Sequence, residues 1–344
     1  MIANPPSYRF KPFRNCTTLG WHLGIKATEL LAIADRSDQL YYHAGRKPKA
    51  DGTFRDLYGA KEPLRDIQTR ILDRILREVH YPTYLMGGIR DEQSPRDYVR
   101  NAFIHAGRGT LIQEDAAAFY PSTRCSQVTA IFRDFFRFPS DVAECLGKLC
   151  TRNNELAQGA SPSTYVANLV MWSREPAVEL NLRQQGLVYT RYIDDINVSC
   201  ERLLSTHEKA EVVQTIHALL RNSGYEPKRS KQNVVSTGGP MEIHGLNVHR
   251  NRPALPKVER KRIRFAVREF ERYAASAPKA AQTWKKGLSV KSRLVIWKRL
   301  NPTQVMSLWE RVENAMAEIR KFHVSEQSRH QDIQTKSTAS DGRP

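Results

Sequence analysis

Two adjacent acids, Asp194-Asp195, interrupt a run that otherwise reads as two β-rich arms, Leu187 to Cys200 (LVYTRYIDDINVSC). Aspartate is a poor strand residue, so the pair marks the tip of a hairpin. Taken alone, such a tip is an ordinary solvated turn as readily as a functional one. Asp115 changes the reading. It ends another strand signal, Thr110 to Gln113, and is followed by AAAFYPS. Nucleotidyl transfer to a hydroxyl uses two divalent ions ~3.5–4 Å apart, and such hard cations take carboxylates converging from different strands. A strand-end Asp115 and a hairpin pair Asp194-Asp195 supply that set. The small side chains of Ala116, Ala117 and Ala118 would let a triphosphate approach the backbone there.

Charge points to the same class of partner. The 344-residue chain carries a net +18, and from Arg250 to Leu300 sixteen Lys and Arg stand against three Glu. A polyanion, nucleic acid first, is the expected partner. Within this block Lys257, Lys261, Arg264, Arg268 and Arg272 recur at helical spacing as a basic stripe, separate from an apolar stripe of Ile263, Val267, Phe270 and Ala274. Interleaved Phe265, Trp284 and Trp297 could stack on bases, although core packing is the commoner fate of such residues. Five scattered cysteines without CxxC spacing indicate reduced structural thiols rather than disulfides or zinc. No apolar run approaches the ~20 residues of a membrane span and no signal-peptide pattern opens the chain, so the expected location is cytoplasmic, with no membrane partner.

Along the chain, residues 15–43 read as one or two short helices using Leu19, Leu23, Leu30, Leu31 and Ile33. Lys47 to Tyr58 reads as a hairpin turning at Asp51-Gly52. Pro63 to Val79 is a helix with Arg65, Arg70 and Arg74 outside. Val128 to Phe136, Asp141 to Cys150, Ser163 to Leu182 and Glu208 to Ser223 are helical. Gln232 to Ser236 and Glu242 to His249 are strands. The polar, aperiodic segment 325–344 reads as a disordered tail. This order makes the fold α+β.

The run RYIDD resembles the YxDD box of reverse transcriptases, especially their bacterial retron-type branch. Further runs follow in family order. DAAAFYPS resembles the first catalytic motif and QGASPSTYVAN (Gln158 to Asn168) the QGxxxS box. KADGTFRDLY with LRDIQTRIL resembles the fingers, NAFIH the NAxxH element, and IHGLNV with PALPK the VTGLVV element. The resemblance spans about residues 17–300. Ile193 stands where Ala is usual, Thr164 takes the place of a proline, GGIRDEQSPRDYVR replaces a Gly-Phe-x-x-Gly-Arg-Ser stretch, and VTG has become IHG. These departures fit a retron polymerase or a closely related phage-defence reverse transcriptase.

The resemblance implies a right-hand polymerase of fingers, palm and thumb, with a ferredoxin-like palm and a helical basic thumb. The expected divisions are an N-terminal helical extension at 1–44, fingers at 45–110 with part of 120–165, palm at 110–120 and 165–250, and thumb at 251–324. It implies an RNA-directed DNA polymerase working in anti-phage defence with two Mg²⁺ ions, or Mn²⁺ in their place, on Asp115, Asp194 and Asp195. Tyr120 would gate against a ribose 2′-hydroxyl. Arg55 and Lys49 would grip the triphosphate, Gln158 would pack by the incoming nucleotide, and Lys231 would lie near the pyrophosphate. His105 reads as structural or RNA-contacting. Partners would be dNTPs, a noncoding RNA template and primer, the cDNA product, and an effector protein or a second copy of the chain. The alternatives are a template-independent or protein-primed polymerase of the same family, and a non-catalytic RNA-binding protein on a polymerase scaffold.

Overall fold

The computed structural model describes residues 3–48, 52–277 and 281–340, with side chains described to residue 321 apart from 281. The chain divides into two compact units, Met1–Met241 and Glu242–Pro344. The first opens with β1 (Ser7–Tyr8), α1 (Cys16–Leu23), α2 (Ala27–Asp35) and the hairpin β2 (Tyr41–Pro48)–β3 (Phe54–Ala60). Next come α3 (Leu64–Arg74), β4 (Val79–His80), α4 (Tyr98–Ile104) and β5 (Thr110–Asp115). Then follow α5 (Phe119–Ser122), α6 (Cys125–Ala130), α7 (Ser140–Cys150), the hairpin β6 (Thr151–Arg152)–β7 (Glu155–Leu156), α8 (Ser163–Leu169) and α9 (Glu175–Gln184). The hairpin β8 (Val188–Tyr192)–β9 (Asp195–Cys200), α10 (Thr206–Asn222) and β10 (Asn233–Ser236) complete the unit.

The principal sheet runs β10-β5-β9-β8 and is antiparallel throughout. In order of appearance its strands lie fourth, first, third, second, with helices between the first and second and between the third and fourth. This is the βαββαβ arrangement of ferredoxin-like domains. Ile112, Ile196 and Val198 from the sheet join Leu182, Ile216 and Leu220 from α9 and α10 in the core. The same core takes in Leu19, Leu23, Leu30 and Ile33, so α1 and α2 pack as part of this unit. Leu31, expected on their apolar face, is 41% exposed.

Local physics explains where element boundaries differ from expectation. Asn15 and Thr18 form a capping box on α1 and Gly24 ends it in the left-handed region at φ 72°. Arg70 and Arg74, expected free outside α3, instead donate to the carbonyls of Leu23, Gly24 and His22. They satisfy acceptors that a helix C-terminus leaves open. The single helix expected over Ser163–Leu182 is two: α8 stops at Leu169, the join is crossed by tighter bonds from the Trp172 N–H to Leu169 and the Arg174 N–H to Met171, and Pro176 sits in the first turn of α9, where its missing N–H leaves nothing unpaired. The helix expected over Val128–Phe136 is α6 followed by one π turn, Ile131–Phe135.

In the second unit, the strand expected over Glu242–His249 is a miniature hairpin, β11 (Glu242–Ile243) and β12 (Leu246–Asn247). His244 and Gly245, both at positive φ, make its two-residue turn. Helices α11 (Lys257–Ser276), α12 (Ala281–Leu300) and α13 (Pro302–Ser340) follow. Ile263, Val267, Phe270, Leu294, Trp297, Val305 and Val312 are buried here. Residues 325–340, expected without structure, continue α13. Extending a helix already nucleated by packed residues adds one backbone hydrogen bond per residue without a new nucleation cost; residues 341–344 lie outside the described chain. All five cysteines are free. No described helix is long and apolar enough to cross a membrane.

Candidate metal and nucleotide site

Register brings the acids together. Asp115 ends β5 and is the Cα partner of Asp195, the first residue of β9, while Asp194 sits in the tip beside it. One carboxylate oxygen from each of Asp115, Asp194 and Asp195 lies within 4.8 Å of the other two. Burial, and then the neighbouring Asp115, raise the Asp194 carboxyl above its ordinary value. Asp195 is raised further, by burial and then by Asp194 and Asp115. Like charges forced together in this way ionise reluctantly. Three converging hard oxygen donors whose mutual repulsion Lys231 only partly offsets are a fitting seat for divalent cations of the Mg²⁺ type.

Lys231 also converges on the acids, with Nζ 2.9 Å from Asp115 Oδ1 and 3.9 Å from Asp195 Oδ1. The 3₁₀ turn Arg229–Lys231 carries it, and the Lys228 N–H donates to the Asp115 carbonyl at 2.7 Å, docking that turn.

Beneath the hairpin lies a buried polar network. Thr190 Oγ1 donates to Asn101 Oδ1 at 2.6 Å. His105 stands 2.7 Å from both Thr190 Oγ1 and Ser199 Oγ. Because the Thr190 proton goes to Asn101, His105 donates from Nε2 and accepts the Ser199 hydroxyl at Nδ1. Asn101 and His105, the named ends of the NAFIH run, therefore brace β8 against β9, which is the structural alternative for His105.

A cavity of about 860 Å³ opens beside the acids. Asp115, Asp194, Arg55, Ala116, Tyr120, Gln158 and Lys231 all line it. Ala117 does not; its N–H is given to the Glu226 carbonyl, and that of Ala116 to Asp194. Ala118, exposed and at φ 46°, forms the wall in its place. Lys49 lies outside the described residues. Tyr120 is held by burial and a hydrogen bond to Thr164 and feels the charges of Asp194 and Arg55. The β2–β3 hairpin is docked by a 2.8 Å bond from the Tyr58 N–H to the Gln158 carbonyl. Gly159, at φ +105°, permits this approach, since a β-carbon there would meet the Tyr58 carbonyl oxygen at 2.9 Å. Arg152 also lines the cavity, its guanidinium 3.9 Å above the Tyr58 ring. No motif singled it out in the sequence.

In the second unit Lys257, Lys261, Arg264, Arg268 and Arg272 are all exposed on α11, away from buried Ile263, Val267 and Phe270. Arg264 lies 5.2 Å over the Trp297 ring and Arg272 pairs with Glu269. Trp297 is core, as expected, but Phe265 is 64% exposed; it falls outside the apolar stripe that α11 buries.

Comparison with known proteins adds relatives. No family model matches the chain. It is 32% identical to the Retron Se72 reverse transcriptase of Salmonella heidelberg (strain 579083-10), across 77% of this chain and 69% of that protein. It is 30% identical to the Retron Ec48 reverse transcriptase of Escherichia coli, across 79% and 68%. To the Retron Ec86 reverse transcriptase of Escherichia coli it is 22% identical, across 69% and 71%. Among solved structures, telomerase from Candida albicans with a fragment of telomeric RNA aligns at TM-score 0.37 and 10% identity, over 61% of this chain and 47% of that one. Apo telomerase from Candida tropicalis aligns at TM-score 0.38 and 10% identity, over 65% and 60%.

Proposed function

The chain belongs to the retron reverse transcriptases, RNA-directed DNA polymerases, and from that premise we propose that it copies a structured noncoding RNA into DNA by two-metal nucleotidyl transfer at Asp115, Asp194 and Asp195. The observation that carries this reading is the convergence of three carboxylates from β5 and the β8–β9 tip, two of which, Asp115 and Asp194, line a cavity shared with Arg55 and Lys231. Bound there, two Mg²⁺ ions would lower the pKa of the attacking hydroxyl and neutralise the leaving pyrophosphate. The three aspartates hold and orient them. Arg55 grips the triphosphate through its fork of donors, and Lys49 joins it. Lys231 contributes charge and a proton on the pyrophosphate side. Gln158 packs by the nucleotide, and Tyr120 excludes a 2′-hydroxyl.

In this reading residues 45–110 with part of 120–165 act as fingers, 110–120 and 165–250 as palm and the C-terminal helices as thumb. The exposed α11 stripe binds the phosphates of the template RNA and its cDNA. The activity serves anti-phage defence in the cytoplasm, with an effector protein or a second copy of the chain as partner.

The test is Asp194→Asn combined with Asp195→Asn. The expected result is a folded protein that retains RNA and incorporates no dNTP with Mg²⁺ or Mn²⁺. Wild-type cDNA synthesis by that variant would overturn the assignment.

A further inference from the structure

We infer that Arg191 is a positioning residue for the Asp194-Asp195 turn, acting through the carbonyl of Ile193 and anchored by Glu175. The Arg191 side chain is 0% and that of Glu175 1% exposed. Arg191 Nε and Nη2 donate to the two Glu175 oxygens at 2.6 and 2.7 Å. The remaining fork bonds go to backbone, from Nη2 to the Asn168 carbonyl at 3.1 Å and from Nη1 to those of Ala167 at 3.3 Å and Ile193 at 2.8 Å. One buried cation thus joins α8, α9 and the tip of the β8–β9 hairpin.

The bond to Ile193 falls where support is needed. Ile193 sits at φ 61°, a left-handed conformation that a β-branched residue adopts only when its surroundings enforce it. Its carbonyl belongs to the peptide group entering Asp194. The backbone on either side is already tied. The Arg191 N–H donates to Tyr84 at 2.9 Å, its carbonyl accepts from Met86 at 2.8 Å, and the Asp194 carbonyl accepts from Ala116 at 3.2 Å. Arg191 Nη1 closes the gap at the apex. Only a planar fork with five N–H donors can hold a carboxylate and several carbonyls at once.

A buried ion pair is a poor device for stability alone, since an apolar pair of similar volume often serves as well. What an apolar pair cannot do is fix the Ile193 carbonyl. Asp194 must meet Asp115 within a metal's reach, and misplacement by about 1 Å costs on the order of 100-fold in rate.

The inference rests on reading the three aspartates as the metal site, and the experiment separates the two. Arg191→Met is combined with Glu175→Gln, which removes both charges while leaving an acceptor for the Tyr189 hydroxyl, 2.7 Å from Glu175 Oε1. Arg191→Lys and Asp194→Asn are made alongside. Melting temperature, Mn²⁺ binding followed by electron paramagnetic resonance, and kcat and KM for dNTP are measured on each full-length protein. The double variant is expected to melt near wild type, to need at least about fivefold more Mn²⁺ for half-saturation, and to lose about tenfold or more in kcat with KM little changed. A folded double variant with wild-type Mn²⁺ affinity and kcat overturns the inference. Should the double variant not fold, Arg191→Lys decides by the same measures. Loss of the fold in both assigns Arg191 to core stability and likewise overturns it. Full activity in Asp194→Asn would instead sink the metal-site reading.

Discussion

Gly87 lies hard against Ile193: a β-carbon on Gly87 would come within 2.8 Å of Ile193 Cγ1 and 2.9 Å of Cδ1. The side chain larger than the family's usual alanine and the Gly-Gly of the divergent segment therefore occupy one space. Gly87→Ala is expected to destabilise the protein by about 1–3 kcal/mol through overpacking. Ile193→Ala should recover much of that loss, because the two residues touch and their effects are not additive. A double-mutant cycle by urea unfolding measures the coupling; strict additivity would refute it.

His105→Ala should destabilise rather than inactivate. It leaves the Ser199 hydroxyl without its buried acceptor and removes the donor to Thr190, which keeps its bond to Asn101, at about 1–3 kcal/mol for a group left unsatisfied. Denaturation midpoints should fall while kcat per folded molecule stays within a few-fold. A large loss of kcat at unchanged stability would make His105 part of the chemistry instead.

The raised carboxyls of Asp194 and Asp195 give the metal-free protein a signed pH dependence. Below the unfolded value of about 3.9 both states hold these protons and the contribution is flat. Above it the unfolded chain has released protons that the native state keeps, so stability falls with rising pH until the native groups ionise. Divalent metal displaces those protons. The melting temperature with Mg²⁺ should therefore exceed that with EDTA by a margin that widens as pH rises from about 4. A constant margin across pH would count against the shifts.

Removing the α11 stripe should weaken RNA binding in a salt-dependent way. Alanine in place of Lys257, Lys261 or Arg268 should lower affinity across unrelated RNA sequences. Each cation that no longer neutralises a phosphate should flatten the log–log salt slope by about 0.7–0.9. Filter binding over a salt series reads this directly, and an unchanged slope would place these side chains away from the phosphates.

The acid pair at a hairpin tip and the lone acid at a strand end were readable because aspartate in β-forming runs violates local propensity, and such violations concentrate at functional positions. The basic stripe and its buried counterpart on α11 were readable from helical period alone. Arg191 and Glu175 were not. Each looks like an ordinary charge in its own segment, and only tertiary packing pairs them. The exposure of Phe265 is illegible for a related reason, since an aromatic near an apolar stripe gives no sign of whether its own angle around the helix turns it inward. Pro176 was visible as a residue suited to a first helical turn, but the end of α8 at Leu169 carries no such mark. Residues 325–340 have no apolar period, which says what they cannot bury but not whether a neighbouring helix extends through them.

Strands β5 and β9 are interior to their sheet, each paired on both edges. Their amide protons can therefore reach solvent only when the whole sheet opens, and backbone hydrogen exchange from Thr110 to Asp115 and from Asp195 to Cys200 should be among the slowest in the chain. The β2–β3 hairpin, a two-stranded ribbon, can fray long before. Under mild denaturation the protein should then lose its hold on nucleotide while the acidic centre is still assembled.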